Sequence, residues 1–192
     1  AGHSALAKFP NRYHAAMSSA LLAYLDILAC RSALIESRFE DARKNISDIE
    51  SRLEPAKPLC DESHDLLIAV RCVEKEKAEL CRDLHSRTLT VCKDTGWFAV
   101  GSDRVDLKRR RPLRLIVAAL VHARVESPGT VVSLETLIRK GWPDQNVSEK
   151  SARNRLWVTI NELRKLGLKD VLATRDDGYL LLPEYEVVIA EP

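Results

Sequence analysis

Through the first half of the chain, apolar residues recur at steps of three and four, the spacing of one face of an α-helix. The pattern predicts three helices. The first spans about 11–37 and is rich in Ala and Leu. A break near "ESRFED" separates it from a second, at about 39–54. "EPAKP" (54–58) ends that helix, because proline lacks the N–H that the next turn needs. The third covers about 61–87. Its apolar positions are Leu66, Val70, Val73, Leu80 and Leu84, with Lys77 interrupting the stripe, while Glu74, Lys75, Glu76 and Glu79 form a solvated face. The most apolar run, "ALLAYLDILAC" (20–30), contains Asp26. It is too short to span a bilayer and reads as a buried core helix.

After "KDTGWFAV" (93–100) the pattern changes. Gly96 breaks the helix, "WFAV" starts a strand, and "RVDL" (104–107) alternates like a second. "RPLRLIVAALVHARV" (111–125) is an amphipathic helix, and His122 on it reads as structural. "ESPGT" is a turn and "VV" a short extended piece. Ser133 suits the N-cap of a helix over 134–141, and "GWPDQNV" (141–147) is a loop. A helix over 149–166 ends at Gly167, a residue suited to a left-handed cap. A hairpin over 171–182 follows, read as "VLATR", "DD" and "GYLLL", with Asp177-Gly178 supplying its turn chemistry. The fold class expected is mostly α with a small β component. A helical bundle or hairpin fills 1–95, and a winged helix-turn-helix fills 96–192.

Charge sharpens this division. Of the 192 residues, 45% are hydrophobic and 30% charged, which predicts a packed, soluble chain. The net charge is only +2, but residues 97–182 hold 16 Lys/Arg against 10 Asp/Glu, whereas 1–96 hold 14 against 15. A basic C-terminal half is the electrostatic footprint of a polyanion binder. Five cysteines and no readable secretory signal point to reduced thiols and a cytoplasmic location. The chain opens "AGHSALAKFP", without Met, so a fragment of a larger parent protein is expected.

Candidate chemistry is sparse. Cys60/His64 and Cys81/His85 each set a thiol and an imidazole one turn apart. All four would share one long helix and could not converge on a metal unless it broke. No phosphate-cradling glycine loop or nucleophile–histidine pair stands out. The expectation is a non-enzyme with no cofactor and no metal.

Residues 97–182 resemble the C-terminal effector domain of the OmpR/PhoB-type transcriptional regulators. The matching stretches are "VDL…LRLIVAAL", "VVSLETLIRKGWP", "RLWVTINELRKLGL" and "TRDDGYLLL", and the Ile160-x-x-Leu163-Arg164-Lys165 pattern before Gly-Tyr-Leu is the most specific. "LACRSALIESRFEDARKNISDIESRLEP" (28–55) resembles one tetratricopeptide-type helical hairpin, with Ala33 and Ala42 at the crossing, Phe39 at the turn and a closing Pro; a plain helical bundle accounts for it equally. The first resemblance implies a bacterial transcriptional regulator that binds double-stranded DNA. Helix 149–166 would enter the major groove and the wing 171–182 would lie on the minor groove. The N-terminal helices would mediate a homodimer or receive a partner protein, away from any membrane.

At 100° per residue, Ala152, Leu156, Ile160 and Leu163 face the core of the 149–166 helix. The outward face carries Lys150, Asn154, Trp157, Val158, Asn161, Glu162 and Lys165, with Arg155 at its edge. Asn can read adenine, Lys and Arg reach guanine or phosphate, and Val158 can touch a thymine methyl. Arg175 on the wing would meet the minor groove. Lys108, Arg109, Arg110 and Arg111, in "KRRRPLR", would contact phosphates. Three features depart from the family. Glu162 occupies a position that the resemblance makes basic, Asp176 and Asp177 put negative charge on the wing tip, and Trp157 is a large apolar residue on the outward face. They keep open a rival reading, a protein–protein adaptor without sequence-specific DNA binding.

Overall fold

The computed structural model describes residues 10–143 and 148–191. The fold is mostly helical with a small sheet component. The chain divides into two compact units, residues 1–84 and 85–192.

The first unit is built from α1 (Pro10–Ile35), α2 (Phe39–Leu53) and most of α3 (His64–Ser86), with a 3-10 turn at Lys57–Leu59. Helices α1 and α2 form a hairpin. Ala33 and Ala42 are fully buried in its core, and the Cys30 Sγ donates to the Ala42 carbonyl at 3.5 Å, so small side chains let the two backbones approach. Helix α1 ends at Ile35 and is capped by a turn through Ser37. Arg38 N–H reaches the Ala33 carbonyl at 2.8 Å and Ser37 N–H the Leu34 carbonyl at 3.3 Å, with Ser37 at φ +57°. That is a left-handed helix cap with serine where glycine is usual.

Ion pairs bridge each pair of these helices: Asp26 with Arg52 (α1–α2), Glu50 with Lys77 (α2–α3) and Arg31 with Glu76 (α1–α3). Lys77, which interrupts the apolar stripe of α3, therefore has a structural partner on α2. The stripe itself, Leu66, Val70, Val73, Leu80 and Leu84, is buried in the unit's own core together with Ile27, Ile49 and Leu53. It is spent within one chain and is not a surface for a second. Helix α1 runs longer than the apolar run read from sequence. By length and composition, Asn11–Ile35 could cross a membrane, a property it shares with core helices of soluble proteins. It is not wholly buried, because one side carries Leu21, Leu22, Tyr24, Leu25, Leu28 and Ile35 exposed.

The second unit opens on β1 (Thr88–Cys92), β2 (Trp97–Val100) and β3 (Asp103–Asp106) and closes on β7 (Glu186–Ala190). They form one sheet in the order β3-β2-β1-β7, in which β1 and β7 are parallel from Thr88↔Glu186 to Cys92↔Ala190. Sequence reading assigns no strand to 88–92 or 186–190 and puts the domain break at 95/96. Because β1 pairs with β2 and β7, the break falls before it, at 84/85. Between these strands lie α4 (Arg111–Glu126), β4 (Val132–Ser133), α5 (Leu134–Gly141), α6 (Glu149–Leu163), a wide turn Arg164–Leu168, β5 (Leu172–Arg175) and β6 (Gly178–Leu181). A second sheet has the order β4-β6-β5.

One core serves both sheets. Leu113, Ile116, Val117 and Leu120 of α4 lie against Leu89, Val91 and Phe98 of the first sheet, Leu137 of α5, Leu156, Ile160 and Leu163 of α6, and Leu172 and Leu181 of the hairpin. Burial of each such side chain is worth roughly 1.5–3 kcal/mol, so α4 is the spine that fixes the other helices. Gly141 sits at the α4–α5 crossing, where a Cβ would lie 3.3 Å from the Ile116 side chain. Arg124 of α4 donates to the carbonyls of Pro183 and Tyr185, both at 3.2 Å, and so holds the segment that returns to β7. Burial lowers its pKa from the usual guanidinium value. His122 is exposed and pairs with Glu126 one turn on, Nδ1 to Oε2 at 3.0 Å.

Candidate nucleic-acid interface

Helix α6 presents the face that its periodicity predicts. Ala152, Leu156, Ile160 and Leu163 are buried, joined by Thr159, whose hydroxyl donates to the Arg155 carbonyl at 2.9 Å. Lys150, Asn154, Arg155, Trp157, Val158 and Lys165 are exposed, and Asn161 and Glu162 are half-exposed. The helix ends with a wide turn in which Gly167 takes φ +114°. Before it, Ser133 caps α5 by accepting from Thr136 N–H at 3.2 Å. The intervening loop read over 141–147 lies partly outside the described residues.

The hairpin after α6 differs in detail from its sequence reading. Arg175 pairs with Gly178, so the two-residue turn is Asp176-Asp177, and Asp176 carries the left-handed φ of +42°. Gly178 is required for another reason. A Cβ there would lie 2.2 Å from the Val132 carbonyl oxygen, so only glycine lets β6 pass this close to β4. Asp177 also contributes its carbonyl, which accepts from Leu134 N–H at 3.0 Å and joins the turn to the start of α5.

Arg164 binds this hairpin to α6. Its Nη2 donates to Thr174 Oγ1 at 2.8 Å and to the Leu172 carbonyl at 3.3 Å, and its guanidinium lies 5.9 Å from the Tyr179 ring centroid. Arg164 is not recognisable as a site residue from sequence alone. Its role depends on residues 8 to 15 positions away, in an element whose packing periodicity does not specify.

The basic run 108–111 sits where α4 begins. Arg110 is the N-cap residue, Pro112 lies in the first turn, and no acidic side chain falls there. Positive side chains oppose the positive end of a helix dipole, so this arrangement is unfavourable for stability by itself. The Glu162 carboxylate on Arg110 offsets part of this cost. Arg110 Nη1 donates to Glu162 Oε1 at 2.8 Å, which brings the run beside the outward face of α6. Lys108, Arg109, Arg110 and Arg111 are all exposed. Among the described residues, Lys108, Arg109, Lys150, Lys165 and Arg175 are exposed and in no ion pair.

A hollow of about 590 Å³ runs along α6. It is lined by Trp157, Val158, Asn161, Glu162, Arg164, Lys165 and Lys169. The two Cys–His pairs do not meet. Cys60 lies in the turn before α3 and His64 is its first residue, whereas Cys81 and His85 are in its last turns, roughly 25–30 Å from His64 at 1.5 Å per residue. No three His, Cys, Asp or Glu side chains gather as a metal site among the described residues.

Searches against protein-family models, curated proteins and solved structures find no match to this chain.

Proposed function

We propose that the C-terminal unit is a winged helix that binds double-stranded DNA as part of a bacterial transcriptional regulator. Helix α6 is the recognition helix in the major groove, and the β5–β6 hairpin is the wing on the adjacent minor groove. The observation that carries the reading is the Arg110–Glu162 contact, because it sets a run of four cations beside a helix face bearing Asn154, Asn161, Lys150 and Lys165. Phosphate contacts then come from Lys108, Arg109 and Arg111, and base contacts from α6. Arg164 contributes by keeping the hairpin, and with it Arg175, at a set angle to the helix.

A specific observation favours a second reading. Trp157 and Val158 are adjacent, exposed and apolar, and they line the hollow along α6. A protein partner that inserts a side chain there would make the unit an adaptor.

Titration of mixed duplex DNA at two salt concentrations separates the two. With about four phosphates neutralised, log K falls against log salt with a slope of roughly −3 to −4. Replacing Arg109, Arg110 and Arg111 by Ala weakens binding to all sequences alike. No binding at low salt, or binding indifferent to salt, discards the DNA reading and leaves the adaptor.

A further inference from the structure

Helix α1 is built inside out. Its buried seam is Ala16, Ala20, Ala23, Ile27, Cys30 and Leu34, at steps of four and three, and four of the six are Ala or Cys. Its exposed seam is Ser18, Leu21, Leu25, Leu28, Ser32 and Ile35, at steps of three and four, with Leu22 and Tyr24 beside it. Leu21 is 63% exposed, Leu25 57%, Leu28 47% and Ile35 81%. A helix that meets water on one side gains by the reverse arrangement, large residues inside and small ones outside. The larger apolar payload of α1 therefore faces outward.

Nothing charged interrupts that face. Between Tyr13 and Ile35 the only Asp, Glu, Lys or Arg residues are Asp26 and Arg31, and both are bonded to the unit's other helices, to Arg52 and Glu76. The face can meet its own image across a two-fold axis without bringing like charges together. Its spacing averages 3.5 residues, the repeat of helices that wind around each other in a left-handed pair. Complete cover of these six large side chains buries at most roughly 650 Å² per copy and roughly 1,300 Å² for a pair, which reaches the lower end of the range of stable specific interfaces.

We propose that this face of α1 docks on the same face of a second copy of the chain, giving a two-fold dimer with Leu21, Leu25, Leu28 and Ile35 at its seam. The buried stripe of α3 takes no part. The proposal is independent of DNA binding, and a monomer that binds DNA would sink it alone.

The test uses the full chain in light scattering and sedimentation across the micromolar range, with far-UV circular dichroism to follow the fold. The wild type runs at the mass of two chains. Leu25→Lys with Leu28→Lys runs at the mass of one, with unchanged helicity, because both positions already face water. Leu21→Gln with Leu28→Gln, which adds no charge, serves if the lysine pair disturbs the fold. A wild type at single-chain mass throughout overturns the proposal, as does a dimer that survives both variants. Flotation with phosphatidylcholine vesicles is the third arm, and a wild type that floats instead of pairing assigns the face to lipid.

Discussion

Glu162 and Arg110, 52 residues apart, form an ion pair at 2.8 Å in which each side chain stays nearly half exposed. Both belong to the proposed DNA surface, and each cancels part of the other's charge. Exposed pairs of this kind contribute about 0.2–1 kcal/mol to stability. Glu162→Gln keeps the shape, removes the charge and releases Arg110. The expected result is tighter binding to duplex DNA at low salt, a log–log salt slope steeper by about one unit, and a stability loss below about 1 kcal/mol. Titrations at several salt concentrations, paired with a urea melt, measure both. An unchanged slope would show that Arg110 does not reach a phosphate.

Gly178 carries the second prediction. Because a Cβ on this residue would sit 2.2 Å from the Val132 carbonyl oxygen, Gly178→Ala forces β6 away from β4. Destabilisation of about 2–4 kcal/mol is expected, the range of overpacked and strained sites. Gly129 is the control, since φ is +85° there but a Cβ meets nothing within 4 Å. Gly129→Ala meets only backbone strain, about 1–2 kcal/mol. Thermal or urea melts that rank the two the other way would show that β4 and β6 can separate at little cost.

These sites mark the limit of what periodicity reveals. The core side of α6 is legible because Ala152, Leu156, Ile160 and Leu163 repeat at helical steps and are buried together. Ser133 is legible because capping is local chemistry. Strands β1 and β7 are five residues each and pair in parallel with nearly a hundred residues between them, so neither predicts the other. The same holds for Arg110–Glu162 and Arg164–Thr174, where each partner reads alone as a solvated charge or hydroxyl. Helix α1 fails differently. Its sequence is apolar on nearly every side, and only the packing of Ala16, Ala20 and Ala23 shows that the leucines lie on the other face.

The cysteines predict an order of reactivity. Burial, with the Cys81 thiol nearby, pushes Cys30 up to about 11, so almost none of it is thiolate at neutral pH. Cys72 is exposed on α3. With a chromogenic disulfide reagent near pH 8, Cys72 is expected to react first and Cys30 only when α1 and α2 separate. Mass mapping of singly labelled protein checks this. Early label on Cys30 would mean that the α1–α2 hairpin opens readily.

Ser37 is a site for a gain in stability. It holds φ +57° at the end of α1, a conformation that costs a residue with a Cβ about 1–2 kcal/mol. Glycine removes that strain but adds freedom to the unfolded chain. Ser37→Gly is therefore expected to stabilise the chain by about 0.5–1 kcal/mol. A melt shifted downward would mean that the serine side chain supports the cap.

The last prediction separates the two readings of α6. Asn161 is half-exposed on its outward face, and Trp157 stands exposed one turn earlier beside the hollow. If α6 reads bases, Asn161→Ala loses about 1–3 kcal/mol of discrimination at one base pair, because one bidentate contact disappears. Non-specific binding survives, since its phosphate contacts come from Lys108, Arg109 and Arg111. Glu162→Arg tightens general affinity and shifts sequence preference, because a cation replaces the anion on the groove-facing side. If α6 instead docks a protein, Trp157 is the anchor, and buried tryptophans commonly contribute about 2 kcal/mol or more, about 30-fold in affinity. Trp157→Ala then weakens partner binding by about 30-fold or more and leaves DNA affinity flat, while Asn161→Ala does little to either. Quantitative selection from a randomised duplex pool, run on wild type and the three variants, measures the first set of effects. Partner capture with wild type and Trp157→Ala measures the second. A preferred sequence that weakens at one position in Asn161→Ala, with Trp157→Ala still binding it, assigns α6 to the major groove.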